Sequence, residues 1–408
     1  MNILYLLNRF PTISEVFILN EITGLLELGH DVWVVSLYKP EQEITHDEVA
    51  AYNLIHRTTY LGHYPHGIFE NMKYLLKILK KLFLDRILTI SETLFLLKLC
   101  YKKDESRKVF FRKFIDYVSV ILVVKEKKIS HVHCHFAKEN VNIAHIVRQV
   151  CGCPYTFTTH AHDIFINPDK RIRKWAESAQ RVIAISEFNK KYMCSNLDIS
   201  LDKIDIVACS VYVDKINPVR AYSVQPFRIV SLSRLVEKKG HLHLVAACRI
   251  LKDKNVEFIC EIHGAGPMEK QIRDCIKENG LEDKIKLGTA LNHRAAIEFI
   301  STGSVFVLPC IRATNNDMDG IPNVLMESMA LEIPTVSTRI TGIPELIEHG
   351  VDGLIVSPED SLALADAIAK IKNDVFFAEK IRKNSRKKIM ERFDVRKNVR
   401  TLIEIFGN

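Results

Sequence analysis

The stretch Asp317-Met-Asp-Gly-Ile-Pro-Asn-Val-Leu-Met-Glu-Ser-Met-Ala330 follows an apolar run, Val305–Pro309, that predicts a buried strand. Pro322 is placed where a helix can begin, because the first helical residue needs no N–H partner. The stretch therefore predicts a strand, a loop and a helix in succession, the repeating unit of a parallel α/β sheet. The free N–H groups and the dipole at the start of this helix favour a diphosphate in the loop.

The same alternation of short apolar runs and amphipathic helical stretches occurs twice along the chain. Apolar runs of this kind are expected for parallel strands that are covered on both faces. The predicted strands of the first half are Asn2–Asn8, Asp31–Tyr38, His131–Phe136, Tyr155–His160, Arg181–Ser186 and Lys203–Ala208. Those of the second half are Arg228–Arg234, Val256–His263, Lys284–Gly288, Val305–Pro309, Thr335–Thr338 and Gly353–Val356. We therefore predict an α/β fold with two doubly wound, Rossmann-like parallel-sheet domains.

Prolines break the pattern between Asn217 and Pro226, and we place the domain boundary there. The first domain is predicted to span residues 1–217 and the second residues 218–385. A C-terminal helix over residues 386–408 is predicted to pack back on the first domain. Because no long linker separates the domains, they should face each other across a cleft. Ligands of doubly wound sheets bind in such clefts, beside the carboxyl ends of the strands.

The composition of the 408 residues, 47% hydrophobic and 26% charged, is typical of a globular protein. Met1 leads directly into an apolar segment with neither a basic region nor a small-residue cleavage site, so we expect no signal peptide. No apolar run approaches the roughly 20 residues of a membrane span. The ten cysteines form no CxxC pair, which favours reduced thiols in a cytoplasmic protein.

The formal charge of +8 is concentrated between Glu70 and Lys128, where fifteen Lys and Arg stand against seven Asp and Glu. Apolar side chains are interleaved with these charges at helical spacing. A basic amphipathic helix can bind an anionic membrane surface, so we expect a peripheral location at the inner face of the cell membrane. A packed helical pair with a solvated basic face explains the same pattern. Nucleic acid is not expected as a partner, because no binding module is recognisable.

Two carboxylates and two cations lie near the predicted diphosphate site. Asp319 falls in the loop before the helix and Glu327 one to two turns into it, so both can face one ligand. Arg234 and Lys239 lie five residues apart across a strand-to-loop turn, where they can neutralise a departing diphosphate. A helix cap explains Asp319 equally well, and Arg234 and Lys239 can also be read as surface cations.

These segments resemble the signature of glycosyltransferase family 4, a retaining family with the GT-B fold. The acid-x7-acid pattern from Asp319 to Glu327, followed by Ser-Met-Ala, is similar to the family motif, which usually has Glu at both ends. Ser231–Gly240 resembles the strand and loop that carry an Arg and a Lys for the diphosphate. Further similar segments are Gly264-Ala-Gly-Pro-Met268, Thr341-Gly-Ile-Pro-Glu345 and Gly350–Val356. The opening Asn8–Phe17 resembles a branch that builds exopolysaccharides of the colanic-acid type.

The resemblance implies a role for each of these residues. Residues 1–217 would bind the acceptor, and residues 218–385 would bind the donor, a nucleotide-diphosphate sugar. Asp319 would contact a sugar hydroxyl, Glu327 the ribose, and Arg234 with Lys239 the diphosphate. The remaining donor-binding residues would be the glycine turn near the base and the backbone at the helix start: Gly264, Gly266, Gly320, Ile321 and Asn323. No metal or other cofactor is expected, because two cations and a helix terminus neutralise the diphosphate.

His160-Ala-His-Asp163 follows the apolar run Tyr155–Thr159, at the expected mouth of the cleft. It resembles the family's His-Gly-x-Asp element, in which His160 would lie near the transferred sugar with Asp163 beside it. Most histidines in a chain that contains sixteen are structural, but the position at the carboxyl end of a strand favours a functional role. The catalytic candidates are therefore His160, Asp163 and Asp319.

Two further patterns suggest a metal site but favour a structural interpretation. Asp317-x-Asp319 resembles a metal-binding carboxylate pair, but it opens a helix deep in the second domain. His131-Val-His-Cys-His135 has metal-ligating residue types. Because alternate side chains of a strand face opposite sides, Cys134 should point away from the three histidines.

The sequence therefore predicts a retaining, metal-independent hexosyltransferase. It would move a hexose from a nucleotide sugar onto a lipid-linked saccharide acceptor in surface or exopolysaccharide biosynthesis. Two alternatives remain open. A nucleotide-sugar epimerase on the same architecture would act without an acceptor, and a degenerate scaffold would bind the nucleotide sugar without catalysis.

Overall fold

The structure is a computed structural model that describes residues 1–12, 15–40, 46–61, 80, 88–101, 106–219, 222–223 and 225–407. Of the basic region, residues 70–79, 81–87 and 102–105 lie outside the described residues, and so does most of its predicted membrane-binding segment. Among the residues that are described, no helix combines the length and the apolar character that crossing a bilayer requires.

The first domain contains a seven-stranded parallel sheet with the order β3-β2-β1-β4-β5-β6-β7. Its strands are β1 (Asn2–Arg9), β2 (Asp31–Tyr38), β3 (Thr58–Tyr60), β4 (His131–His135), β5 (Tyr155–Thr159), β6 (Arg181–Ala184) and β7 (Ile204–Ile206). The described helices of this domain are α1 (Val16–Glu27), α2 (Asp47–Ala51), α3 (Ile90–Cys100), α4 (Arg107–Glu126), α5 (Glu139–Cys151), α6 (Ala161–Phe165), α7 (Ile172–Ser178) and α8 (Glu187–Leu197). The strand order reverses between β1 and β4, as in a doubly wound sheet.

The second domain repeats this plan with a six-stranded parallel sheet of order β10-β9-β8-β11-β12-β13. Its strands are β8 (Arg228–Leu232), β9 (Ile259–His263), β10 (Ile285–Gly288), β11 (Val305–Leu308), β12 (Thr335–Thr338) and β13 (Leu354–Val356). Its helices are α9 (His241–Asp253), α10 (Glu269–Glu278), α11 (His293–Ser301), α12 (Asn323–Ala330), α13 (Ile343–Leu346), α14 (Ser361–Asn373) and α15 (Val375–Arg392). The reversal lies between β8 and β11. The predicted fold class is confirmed.

Strand β1 shows why the sequence forms covered parallel sheets. Leu4 and Leu6 pack on one face, in a buried cluster with α4 and α5. Ile3 and Tyr5 pack on the other face, in a cluster with α1. Alternate side chains of a strand point to opposite faces, so an uninterrupted apolar run serves both layers.

The predicted strand ends differ from the structure mainly at β9, which begins at Ile259 and not at Val256. The Val256 N–H donates to the Leu251 carbonyl and so closes the preceding helix α9. Strand β3 was not predicted. It has only three residues at the edge of the sheet, none of them buried, so it lacks the apolar run that marks the other strands.

The last helix, α16 (Val395–Gly407), lies on the first domain although it follows the second. Helix α15 runs through residue 386 and ends at Arg392, and the chain crosses between the domains there. Val399, Leu402 and Phe406 of α16 join the buried cluster of α1 and β1. Each such side chain contributes roughly 1.5–3 kcal/mol on burial, so α16 ties the two ends of the chain to one core.

Gly24 on α1 permits the close approach of α16, because a Cβ at this position would lie 2.8 Å from Val395 Cγ1. We predict that Gly24→Ala destabilises the protein by about 1–2 kcal/mol, since overpacking outweighs the helix propensity that alanine adds. In Gly24→Ala/Val395→Ala the combined change should be smaller than the sum of the single changes. Urea unfolding of the four proteins tests this, and additive changes would contradict the close packing.

Candidate functional site

The cleft between the domains lies at the carboxyl ends of the central strands of both sheets. In the first sheet these strands are β4 and β5, and in the second they are β8 and β11. The order of the second sheet reverses between β8 and β11, and that of the first sheet reverses beside β4, between β1 and β4. Such reversals are the binding positions of doubly wound sheets. His160 directly follows β5, and the candidate donor-binding residues follow β8, β9 and β11.

The turn after β8 reaches the loop after β11 because residue 240 is a glycine. Its φ is +69°, and a Cβ there would lie 1.9 Å from the Pro309 carbonyl oxygen. The Lys238 carbonyl accepts a hydrogen bond of 2.9 Å from the Ile311 N–H, which joins the two segments. A side chain at residue 240 would force them apart. The sequence Lys-Lys-Gly therefore brings two lysines to the loop that carries Asp319.

Lys239 and Asp319 form a buried ion pair, with Nζ 2.7 Å from Oδ2. The Nζ of Lys238 lies 3.0 Å from Asp317 Oδ1 and 3.4 Å from Asp319 Oδ1. Burial would raise the pKa of Asp319, but the two lysines outweigh it and hold the pKa below its usual value. Burial would lower the pKa of Lys239, and Asp319 outweighs that effect and raises it. Asp319 is therefore an ionised hydrogen-bond acceptor.

Arg234 is the exposed cation of the site, in the turn directly after β8. Its guanidinium makes no hydrogen bond or ion pair with any residue that the structure describes. Nearby, helix α12 begins at Asn323, one residue later than predicted, because Pro322 has a ψ of 125° and forms the N-cap. The backbone N–H groups of Asn323 and Val324 have no partner in the described ranges. These donors remain open to an anionic ligand.

Gly264 and Gly266 allow the turn after β9 to pack against the turn that carries Arg234. A Cβ on Gly264 would lie 1.9 Å from the Ser233 carbonyl oxygen, and one on Gly266 would lie 2.4 Å from the Leu235 carbonyl oxygen. The Leu235 N–H donates to the Ala265 carbonyl at 2.9 Å. The glycines are therefore required for the shape of this turn.

Glu327 lies on α12 and is almost fully buried. Its Oε1 is 3.2 Å from His293 Nε2 at the start of α11. The hydrogen bond to Glu327 raises the pKa of His293. This carboxylate is thus fixed in orientation by an imidazole that the sequence did not indicate.

The loop before α12 also contacts the first domain. We call this contact region, which contains Ile185, Glu187, Gly320, Ile321 and Glu345, the seam between the domains. A Cβ on Gly320 would lie 2.5 Å from Ile185 Cδ1 of the first domain, so a larger residue would displace it. Ile321 is buried in the same seam. Across it, the Glu345 carboxylate accepts hydrogen bonds from the backbone N–H groups of Glu187 and Phe188, at 2.8 and 2.9 Å. Glu345 of the second domain therefore caps helix α8 of the first.

His160 and Asp163 have different surroundings. The Asp163 carboxylate is fully buried and accepts hydrogen bonds of 2.8 Å from the backbone N–H groups of Ala137 and His160. Its burial raises its pKa to about 6. It therefore fixes the turn that carries His160 and does not face the cleft. The His160 ring lies between Phe17 and Phe136, with centroid distances of 4.7 and 4.4 Å.

The side chains of the two metal-like patterns have partners within the protein. Asp317 and Asp319 are both paired with lysines, as described above. Cys134 is buried in the cluster that contains α4 and α5, whereas His131 and His133 lie on the opposite face, near Phe406. The predicted orientation of Cys134 is confirmed.

Four residues of this region received no role from the sequence, namely Glu21, Lys238, His293 and Glu345. Lys238 had a local signal, because two adjacent lysines match two aspartates that lie two residues apart. Glu345 ends a segment that resembles the family, but its contact with the first domain was not predicted. Glu21 and His293 act on segments far away in the chain, and no local pattern marks them.

Comparisons with known proteins agree with this geometry. Residues 214–388 match the family described as glycosyl transferases group 1, and residues 98–215 match glycosyltransferase family 4. The chain is 30% identical over 405 residues to the putative colanic acid biosynthesis glycosyltransferase WcaL of Salmonella typhimurium, with 97% of this chain and 96% of the relative covered. It is 27% identical to the amylovoran biosynthesis glycosyltransferase AmsK of Erwinia amylovora, with 91% and 90% covered. The crystal structure of Anabaena Alr3699/HepE in complex with UDP superposes with a TM-score of 0.72 at 15% identity, with 100% of both chains covered.

The two facing doubly wound domains have the GT-B fold. The matched family and the full-length relatives define the protein as a glycosyltransferase. The chain belongs to glycosyltransferase family 4.

The buried histidines beside the cleft should make the fold acid-sensitive. Burial lowers the pKa of His131 to about 3 and holds the pKa values of His133 and His160 well below the usual range. Each of them therefore adds stability that is present above pH 6.5 and is lost as the pH falls towards its folded pKa, because only the unfolded chain takes up the proton. The raised pKa of Asp163 has the opposite effect on stability. Below pH 6 the folded protein takes up this proton more readily than the unfolded chain, so Asp163 adds stability as the pH falls.

We predict that His131→Asn reduces the pH dependence of the unfolding free energy by about 1.4 kcal/mol per pH unit between pH 6 and 5. Urea unfolding of both proteins at a series of pH values measures the difference. The control is His349→Asn, beside the edge strand β13 of the second sheet. An unchanged slope for His131→Asn would contradict its burial as a neutral group.

Proposed function

We propose that the protein is a retaining, metal-independent hexosyltransferase of surface or exopolysaccharide biosynthesis. Its donor would be a nucleotide-diphosphate sugar and its acceptor a lipid-linked saccharide. The observation that carries this proposal is the cationic centre formed by Arg234, Lys239 and the start of helix α12, with the ionised Asp319 at its edge. Such a centre suits a leaving group whose negative charge grows as the glycosidic bond breaks.

Each part of the donor has a matching group in the second domain. The guanidinium of Arg234 and the free N–H groups of Asn323 and Val324 would bind the diphosphate oxygens. Asp319 would accept a hydrogen bond from a sugar hydroxyl, because its lysine partners keep it ionised. Glu327, oriented by His293, would accept from the ribose hydroxyls.

The occupied carboxylates support transfer with retention by attack on one face. Asp163 is used by two backbone N–H groups and Asp319 by two lysines. Neither is therefore free to form a covalent sugar intermediate. In the proposed step the bond from the anomeric carbon to the diphosphate oxygen breaks, and the acceptor oxygen bonds to that carbon on the same face. The acceptor proton passes to the departing diphosphate.

The lysine contacts also support the metal-independent part of the proposal. A divalent cation on Asp317 and Asp319 would have to displace Lys238 and Lys239, whose Nζ atoms lie 3.0 and 2.7 Å from these carboxylates. The lysines and Arg234 supply positive charge at the same place. We therefore assign charge neutralisation to side chains.

The proposed acceptor and pathway rest on the similarity of the chain to WcaL and AmsK. WcaL and AmsK, which match nearly the whole chain, carry the names of colanic acid and amylovoran biosynthesis. Both names refer to exopolysaccharides. A lipid-linked acceptor, as expected from the sequence, is consistent with the exposed apolar and basic side chains of α3 and α4.

The described part of the basic region presents a surface that suits an anionic membrane. Ile90, Leu94 and Tyr101 are 78%, 61% and 67% exposed. Ile90, Leu94 and the exposed Lys98 follow one another at four-residue spacing, which places them on one face of α3. On α4, Phe111 is exposed beside Arg107 and Arg112. An apolar stripe with flanking cations can insert at the level of the headgroups.

The donor site can be tested by thermal unfolding with UDP, GDP and ADP in the presence of a chelator. We predict that one of the diphosphates raises the melting temperature, with about 2.7 kcal/mol of stabilisation at a hundred times its dissociation constant. Lys239→Met should abolish the shift and reduce turnover. Lys284→Met, which removes a lysine from an ion pair with Glu257, is the matched control and should bind normally.

The other outcomes separate the alternatives. A shift that requires magnesium would contradict the metal-independent mechanism. No shift with any nucleotide would contradict the proposed donor site, and a shift without any turnover of the nucleotide sugar would favour a degenerate scaffold. Interconversion of the sugar in a donor-only incubation would identify an epimerase.

The membrane surface can be tested by co-sedimentation with vesicles that contain anionic phospholipid. We predict that Leu94→Asp weakens binding at least several-fold, because it adds a negative charge to the exposed face of α3. Leu362→Asp is the control, since Leu362 is similarly exposed, at 54%, but lies on the second domain. Equal binding of the wild type and both variants would remove the membrane contact from the proposal.

A further inference from the structure

A polar cluster lies beside His160 in the first domain, and Glu21, its half-buried member, lines the same cavity as His135 and His160. The cluster joins Glu21 of α1 to His133 and His135 of β4. Glu21 Oε1 is 3.1 Å from His135 Nε2 and 3.4 Å from His133 Nε2, and it also accepts a hydrogen bond from the Tyr5 hydroxyl. On its other side, His135 Nδ1 is 3.0 Å from His160 Nε2. A continuous hydrogen-bonded path therefore runs from Glu21 through His135 to His160.

The chemistry of this path determines where its protons lie. An ionised carboxylate can only accept, so the Nε2 of His135 must carry the hydrogen that is donated to Glu21. In a neutral His135 the Nδ1 atom then has a free lone pair and must accept. The hydrogen between the two rings consequently belongs to Nε2 of His160. Both histidines are fixed as the Nε2–H tautomer.

We propose that Glu21 and His135 are positioning residues, which hold His160 in one tautomer and one ring orientation for the reaction in the cleft. The inference rests on the proposed function in one respect, because it takes His160 to lie beside the transferred sugar. A carboxylate that orients an imidazole from behind serves the same purpose in other enzymes. Here a second imidazole stands between them.

The surroundings of the path support a fixed arrangement. His135 and His160 are both almost fully buried, and their rings stack with a centroid distance of 5.3 Å. Phe17 packs against both rings, at 5.9 and 4.7 Å. Neither ring can rotate without displacing its neighbours. The backbone N–H of His160 is also held, because it donates to Asp163. The property of His160 that can still vary is which ring nitrogen carries the hydrogen.

The same residues offer a donor set for a metal, since one ligand atom from each of Glu21, His133 and His135 lies within 4.8 Å of the others. Zinc accepts such a set. However, Glu21 accepts from Tyr5, and both nitrogens of His133 already pair with threonine hydroxyls, at 2.8 Å to Thr156 and 3.2 Å to Thr158. The hydrogen-bonded path satisfies these atoms without an ion. We therefore favour the path, and a metal is an outcome that the experiment must detect.

The first measurement is the nitrogen NMR spectrum of wild-type protein labelled with ¹⁵N-histidine, assigned with His135→Asn and His160→Asn. It reports which ring nitrogen carries hydrogen. We expect the Nε2–H form for both histidines. A His160 with hydrogen on Nδ1 would overturn the inference, and this result does not depend on activity.

The second measurement uses Glu21→Gln, because an amide of the same shape can donate to His135 and so reverse the direction of the path. We expect the hydrogen of His160 to move to Nδ1 and kcat to fall about 10- to 100-fold, the range found for residues that orient a functional imidazole. KM for the nucleotide sugar should not change, since the diphosphate site is in the second domain. Tyr5→Phe is the control, because it removes a hydrogen bond to Glu21 but leaves the carboxylate; its kcat should stay close to that of the wild type.

The remaining outcomes are distinguishable. Unchanged kcat in Glu21→Gln, or a lower kcat with an unchanged His160 tautomer, would overturn the positioning role. One equivalent of zinc in the purified protein, lost in His133→Asn, would establish a metal site and overturn the path. If wild-type protein binds no nucleotide, the proposed function fails, while the tautomers measured on the free protein still test the path.

Discussion

The buried contact between Lys239 and Asp319 is the interaction on which the donor side of the cleft depends. Removing either partner would leave an uncompensated charge in the interior, a change that typically destabilises by about 3–5 kcal/mol. The contact exists only because Gly240 lets the turn after β8 approach within bonding distance of the loop after β11. The ion pair therefore depends on the backbone conformation at Gly240. Lys238 extends it to Asp317, so the whole loop before α12 is held from one side.

The fold could be predicted from the sequence because it is encoded locally. An apolar run such as Ile3–Leu7 has to be covered on both faces, and this requirement alone indicates a parallel sheet with helices on each side. Such an apolar run can be recognised in the sequence before the helices that cover it are known. The edge strand Thr58–Tyr60 escaped prediction for the same reason, since an exposed short strand has no such run. The start of α12 was misplaced by one residue because proline fits both the N-cap and the first helical position.

The candidate site was predictable only in part. Arg234, Lys239, Asp319 and Glu327 lie on segments with a recognisable pattern, and the structure brings Lys239 and Asp319 into contact. His293 and Glu21 cannot be identified in this way, because their partners are set by how separate helices and strands pack. The spacing in sequence between Glu21 and His135 carries no information about the 3.1 Å between their side chains. Residues that orient functional groups are in general harder to find than the groups themselves, since any element that packs nearby can supply them.

The two sides of the cleft are built on different physical principles, which agree with the ligands proposed for them. The second domain presents fixed positive charge, which suits a diphosphate and is insensitive to small shifts in position. The first domain presents neutral imidazoles held by directional hydrogen bonds, which suit a sugar hydroxyl and depend strongly on angle. The seam joins them through close contacts, Gly320 against Ile185 and Glu345 on the start of α8. Gly320, which contacts Ile185, directly follows Asp319 in the loop before α12. If the proposed function holds, a donor that contacts Asp319 therefore also affects the contact between the two domains, because the two residues are adjacent in the chain.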